Sequence, residues 1–386
     1  MPLGQKVYPG PMSKPAISFA GCQSLAAETV ALVRADVGFY LFITLYTLVG
    51  FIFLDTIGAA DRAAYSIYVD HWLFLCVVFL PLVAFVIDAS HIVRRFDRRR
   101  GLAARRLFSP SRIARLVSGL CLVMTFMIFQ GTFTSIKNGL VVWRQGFRYD
   151  QIQADIDAWM HFGVDPWQWL SFAQVDFVRM ALEWNYSIVF FTSSFAGLFF
   201  VATSPLAVRV RTRFIFCFML VWVILGNVLA GLFMSAGPAF YGKVTGDELR
   251  FAPQLQFLAR GTGWPESAVS YQDYLWMLHS LGQTGFGSGI SAFPSVHVGL
   301  AVFNALFAWE YSRRLGILAF AYAGLIEVTS VYLGWHYAID GYAAAIVTVL
   351  IYAATRQMIA DGRTATQAAD APRGKLAVPA GSVVAG

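Results

Sequence analysis

Apolar residues run along this chain in long unbroken stretches, and polar residues collect in the gaps between them. A membrane-crossing helix needs about 20 mostly apolar residues, because it covers ~30 Å at ~1.5 Å per residue. Strands of a membrane barrel would instead alternate apolar and polar positions. The pattern therefore predicts an all-α fold, a polytopic transmembrane helical bundle of about eight spans, at residues 37–58, 70–89, 116–136, 185–204, 214–234, 295–311, 315–334 and 337–355. No internal repeat is visible, which argues against a transporter built from inverted repeats.

Composition agrees with that picture. Of 386 residues, 58% are hydrophobic and 13% charged, against about 25% charged in a soluble domain. An ordinary cytosolic enzyme, a disordered chain and a coiled coil are excluded. The net charge of +7 would suit a nucleic-acid binder until its placement is considered. Of the 29 Lys and Arg, 21 fall in residues 1–36, 88–115, 205–213, 311–314 and the tail from 356, and eight fall in the opposite set of loops. That bias puts both termini in the cytoplasm. The dense basic run at 94–115 reads as a loop lying on anionic head groups, and no nucleic-acid partner is expected.

The chain divides into a cytoplasmic segment at 1–36, two accessory spans with the basic loop at 37–115, a six-span portion at 116–355 and a cytoplasmic tail at 356–386 expected to be disordered. The first 36 residues hold no signal-peptide core. Compact loops favour a bacterial inner (plasma) membrane. Oligomeric state is not legible. Four scattered cysteines show no metal or disulfide spacing.

Two outer segments are too long for simple turns. Residues 137–184 carry Trp143, Trp159, Trp167, Trp169 and Trp184, which predicts one or two amphipathic helices anchored at head-group level. Residues 235–294 contain SAGPAFYGKV and read as a loop partly covering a site, with Tyr241 and Lys243 as candidate substrate contacts.

Candidate chemistry lies at the same outer face. His336 and Asp340 are four residues apart in GWHYAID, hence on one helix face. The carboxylate can take a hydrogen bond from one ring nitrogen and leave the other nitrogen's lone pair aimed at a substrate. A helix-start staple is the bland alternative. The sequence FPSVH places Pro294 and Ser295 just ahead of His297, where the amides of a helix start offer an anion site. Lys137 ends the third span on that face, and Arg144 follows seven residues later. Two cations, two histidines and a carboxylate at one depth suit binding of a phosphate dianion and P–O bond chemistry. A metal held by His297, His336 and Asp340 is a competing reading.

These residues resemble the type 2 phosphatidic acid phosphatase (lipid phosphate phosphatase) superfamily, whose signatures are KxxxxxxRP, PSGH and SRxxxxxHxxxD. This chain has KNGLVVWR at 137–144, PSVH at 294–297 and TSVYLGWHYAID at 329–340. It departs in Gln145 for proline, Val296 for glycine, and Thr329 and Ser330 for Ser–Arg. VYLGWHYAID is similar to the branch containing inositol phosphorylceramide synthase, the aureobasidin target. The resemblance implies a six-helix phosphatase-like core over about 116–355. His336 would be the nucleophile, forming a phosphohistidine, Asp340 its orienter and His297 the acid and base. Lys137, Arg144 and Ser295 would bind phosphate, and no cofactor or metal is implied. The partners implied are a lipid phosphate, a hydroxyl acceptor or water, and membrane lipids. The absent third-box arginine keeps open a non-catalytic lipid transporter or binding protein.

Overall fold

A computed structural model describes residues 19–95, 101 and 108–370. Among them there are helices and no strands. The principal elements are α1 (Phe19–Ala35), α2 (Val37–Thr56), α3 (Ala60–Arg95), α4 (Pro110–Arg144), α5 (Asp150–Met160), α6 (Asp176–Thr203), α7 (Arg211–Leu232), α8 (Ala268–Leu281), α9 (Val296–Tyr311), α10 (Arg313–Tyr332) and α11 (Ala338–Asp370).

Seven of these contain stretches long and apolar enough to cross a membrane: α2, α3, α4, α6, α7, α10 and α11. The chain is an integral membrane protein with an all-α bundle. The expected eighth span, at 295–311, is a helix of 16 residues, α9, and falls short of that length. In the loop before it, Ala292 N–H donates to the Ser235 carbonyl at 2.9 Å. α9 then runs from His297, beside His336, to Tyr311, just ahead of α10, so it lies antiparallel along that span. Leu300, Phe303 and Ala305 on α9 are fully buried.

α4 spans 35 residues, about 52 Å at ~1.5 Å per residue, so it overshoots the ~30 Å apolar layer. Pro110 opens it, where a missing N–H costs nothing, and Gln145 closes it in a left-handed conformation. Its far end carries Lys137 and Arg144 to the expected outer face. At the opposite face the Arg211 guanidinium grips the Asp36 carboxylate with both terminal nitrogens, and Arg112 meets Asp88 at 2.6 Å.

α11 continues to Asp370, so residues 356–370 are helical where the sequence pattern predicts disorder. No proline interrupts them, and alanine is the strongest helix former. Residues 371–386 and most of the basic loop at 96–107 lie outside the described residues.

Candidate active site

Between α3, α4, α6 and α9 lies a cavity of about 450 Å³ whose wall includes Lys137, His297 and His336. Three separate stretches of sequence deliver these groups. Lys137 sits two turns before the end of α4. His297 is the second residue of α9, behind the N-cap Ser295. His336 precedes α11, whose first turn holds Asp340.

The His336 Nδ1 lies 3.2 Å from Asp340 Oδ2, which also accepts from the Tyr337 amide at 3.0 Å. With Asp340 ionised, the proton sits on Nδ1 and Nε2 keeps its lone pair. The rings of His297 and His336 are 6.4 Å apart between centroids. His297 is boxed by aromatics: Tyr186 stacks on it at 4.2 Å, with Phe191 edge-on at 4.8 Å and Phe190 at 5.2 Å. Tyr186 falls in a π-helical turn, Asn185–Val189, inside α6. The wider turn places Tyr186, Ser187 and Ile188 together on the cavity wall, and such turns recur at functional sites.

Burial, and secondarily the Lys137 cation, push the His336 imidazole down from its ordinary 6.5 to about 3, against an upward pull from the Ala292 backbone. The ring is then neutral at physiological pH. Between about 3 and 6.5 the folded protein holds fewer protons at this site than the unfolded chain does. Its stabilising contribution is complete above 6.5 and is lost as pH falls through that window. Thermal unfolding in detergent should move to lower temperature on acidification from 6.5, and less steeply in His336→Asn; parallel profiles would contradict this.

The other expected site residues are placed differently. Ser295 is fully buried and outside the cavity wall. Its hydroxyl accepts from the Val298 amide at 3.4 Å, and its own amide donates to the Asp340 carbonyl at 3.1 Å. The amide thus joins the α9 start to the α11 start, while the hydroxyl caps α9 itself. Arg144 is also off the wall, lying 5.4 Å from the Trp143 ring centroid at the tip of α4. Seven residues carry it about 10 Å along the axis beyond Lys137. Tyr241 is buried against Phe251 at 5.0 Å, and Lys243 stands 4.8 Å over the Trp276 ring. The 235–294 segment does reach the cavity, through Ala236 and Phe240, through Tyr271, Tyr274 and Leu275 on α8, and through residues 286–292. Among the described residues, no three His, Cys, Asp or Glu side chains are grouped to hold a metal ion.

Sequence reasoning missed two carboxylates that frame the site. Asp157 on α5 accepts from the amides of Ala338 and Ile339 at 3.1 and 3.0 Å, capping α11 from far along the chain. Asp150, seven residues earlier on the same face, accepts from the Ala236 and Gly237 amides, both at 2.8 Å, and from Tyr337 Oη at 2.9 Å. Burial raises both carboxyls while these bonds pull them back down. The signal was present in YDQIQADID, an acidic pair two turns apart on a helix with an otherwise amphipathic pattern. Asp157→Ala should remove a helix cap worth about 1–2 kcal/mol and lower the unfolding temperature, with Asp157→Asn milder; an unchanged melting curve would count against the cap.

Two glycines make close approaches that a side chain would block. Gly237 (φ +93°) brings its loop so near the turn between α10 and α11 that a Cβ would stand 2.7 Å from the Trp335 carbonyl oxygen. Gly289 (φ +97°) lies over α4, where a Cβ would meet Lys137 Cγ at 3.0 Å.

A family model described as PAP2 superfamily matches residues 152–354, a little over half of the chain. The matched segment holds His297, His336 and Asp340 and leaves α1–α4, with Lys137, outside it. No curated protein and no solved structure matches the chain. The chain belongs to the PAP2 superfamily.

Proposed function

We propose that this PAP2-superfamily membrane protein is a phosphatase or phosphotransferase acting on lipid-linked phosphate at the outer membrane face, through a phosphohistidine on His336. The His336 Nε2 lone pair attacks phosphorus as the P–O bond to the lipid alcohol breaks. His297 gives its proton to the leaving oxygen. Water or an acceptor hydroxyl then loses a proton to His297 and attacks phosphorus, and the P–N bond returns its electron pair to His336. Asp340, bonded to Nδ1, offsets the positive charge that the ring acquires. Lys137 supplies a fixed cation for the phosphoryl oxygens, a contribution of the oxyanion-stabilising kind.

One observation carries this reading. Two imidazoles 6.4 Å apart, one of them backed by a carboxylate at 3.2 Å, open on one cavity that also holds a lysine. That spacing leaves room for a phosphoryl group between nucleophile and acid. The distribution of Lys and Arg supports the outer location. Transfer of an inositol-phosphate-like head group is the finer form of the proposal, supported by the likeness of VYLGWHYAID to inositol phosphorylceramide synthases.

The test is turnover by purified protein of a panel of lipid phosphates, following free phosphate and new lipid phosphodiester separately. Phosphate release identifies a phosphatase, and product that requires an added alcohol identifies a transferase. Lipid movement across vesicles without any turnover would instead favour a lipid transporter or binding protein.

A further inference from the structure

The two histidines of the site are held in different ways. His336 has a carboxylate behind one ring nitrogen. His297 is held by ring faces and edges. Tyr186 lies flat on it, with centroids 4.2 Å apart and planes 14° from parallel. Phe191 stands at 69° to the imidazole and 4.8 Å away, and Phe190 lies 5.2 Å away. All three rings come from α6, at the π-helical turn Asn185–Val189 and the helical turn that follows it. Tyr186 is only 3% exposed, so it is a packed part of the bundle, while His297 keeps some open surface and lines the cavity.

The face of an aromatic ring carries negative charge density and attracts a cation within about 6 Å of its centre, most strongly where water is excluded. A parallel stack on Tyr186 therefore favours His297 as imidazolium over neutral imidazole. The charged or titratable groups that act on His297 are His336, in the turn ahead of α11, and Lys137 of α4. A lysine cation sharing the cavity disfavours a second positive charge there, and the Tyr186 face works against that. Proton donation to a leaving alcohol requires His297 to carry its proton when the substrate arrives.

We infer that Tyr186 is a positioning residue for His297, its ring face setting the plane of the imidazole and favouring the protonated form that supplies the leaving oxygen. This rests on the reading of His297 as the acid of a phosphoryl-transfer site. Tyr186 lies in none of the three stretches 137–144, 294–297 and 329–340 that carry the family likeness. It reaches the site through the π turn of α6, an element apart from those bearing the reacting groups.

The experiment compares the purified full chain with Tyr186→Phe and Tyr186→Leu. Phenylalanine keeps an aromatic face and removes the hydroxyl, whereas leucine keeps apolar bulk and removes the face. Rapid-quench rates of phosphoprotein formation are measured with diacyl phosphatidic acid, which has an alkyl leaving group, and with p-nitrophenyl phosphate. Tyr186→Leu should slow the step about tenfold with phosphatidic acid. It should leave the aryl rate within about twofold, because a phenolate departs without a proton. Tyr186→Phe should stay within about threefold of wild type on both. A second readout needs no turnover. In spectra of protein with isotope-labelled histidine, the imidazole signal missing from His297→Asn belongs to His297. Its titration midpoint should fall by about one pH unit in Tyr186→Leu and hold in Tyr186→Phe. An unchanged alkyl rate in Tyr186→Leu, equal slowing of alkyl and aryl substrates, or an unmoved midpoint would show that Tyr186 only fills space, and overturns the inference. A loss in Tyr186→Phe equal to that in Tyr186→Leu would assign the effect to the hydroxyl and overturns it too. Absence of turnover on both phosphates would sink the enzymatic reading instead, while the titration midpoint still decides the stack.

Discussion

Replacement of His336 by alanine should lower kcat by about 10⁴-fold or more, because removal of a nucleophile leaves only binding and fixed electrostatics. The ring is held by Asp340 at 3.2 Å, whereas His297 is surrounded by Tyr186, Phe190 and Phe191. Rapid acid-free quenching of wild type with radiolabelled lipid phosphate should trap a base-stable, acid-labile phosphoprotein that His336→Ala does not form. Lipid-induced thermal stabilisation retained by the variant would establish that the cavity still folds. Turnover within tenfold of wild type would remove His336 as nucleophile.

His297→Ala should cost roughly 10²–10⁴-fold with an alkyl leaving group, the range expected for general acid–base help. The loss in the first step should be much smaller with p-nitrophenyl phosphate, whose phenolate departs without a proton. The second step still needs a base, so phosphoprotein should accumulate with the aryl substrate and turn over slowly. Burst amplitude against steady-state rate measures both. An equal loss in phosphoenzyme formation with both substrates would argue that His297 only packs the site.

The wider architecture is built to hold these two rings in register. Ser295 ties the α9 start to the Asp340 carbonyl, and Asp157 ties α5 to the amides that open α11. Gln254 reaches the Val331 and Tyr332 carbonyls at 2.7 and 3.1 Å at the end of α10. Arg250 joins the outer segments by bonding to Asp155, Asp165 and the Ala154 carbonyl. Outer helices that look like membrane anchors in the sequence therefore also brace the start of the helix carrying Asp340. Exposed Trp159 and Phe162 on the same segment remain suited to head-group anchoring.

Much of this was legible in the chain alone. Apolar runs of the right length identify seven of the expected spans, because hydrocarbon thickness sets a length that composition cannot disguise. The pairing of His336 with Asp340 was expected on one helix face, but His336 stands in the turn ahead of α11 and the bond joins that turn to the helix's first residues; the pair is local in sequence without being helical. Residues 295–311 form the 16-residue α9, whose shortness the apolar pattern does not mark because the loop leading into it is apolar as well. Arg144 and Ser295 looked equivalent to Lys137 and His297 by depth, but depth does not say which way a side chain faces.

What the sequence determined by itself was the solvent each segment prefers and the contacts within one or two helical turns, because hydrophobic length and helical period are properties of consecutive residues. Only the tertiary structure decided which groups meet across the bundle: His297 beside Tyr186, Asp157 under Ala338, Lys137 and His336 on one cavity. Those meetings depend on how helices pack and where a π turn or an inward loop shifts the register, and no window of neighbouring residues encodes that.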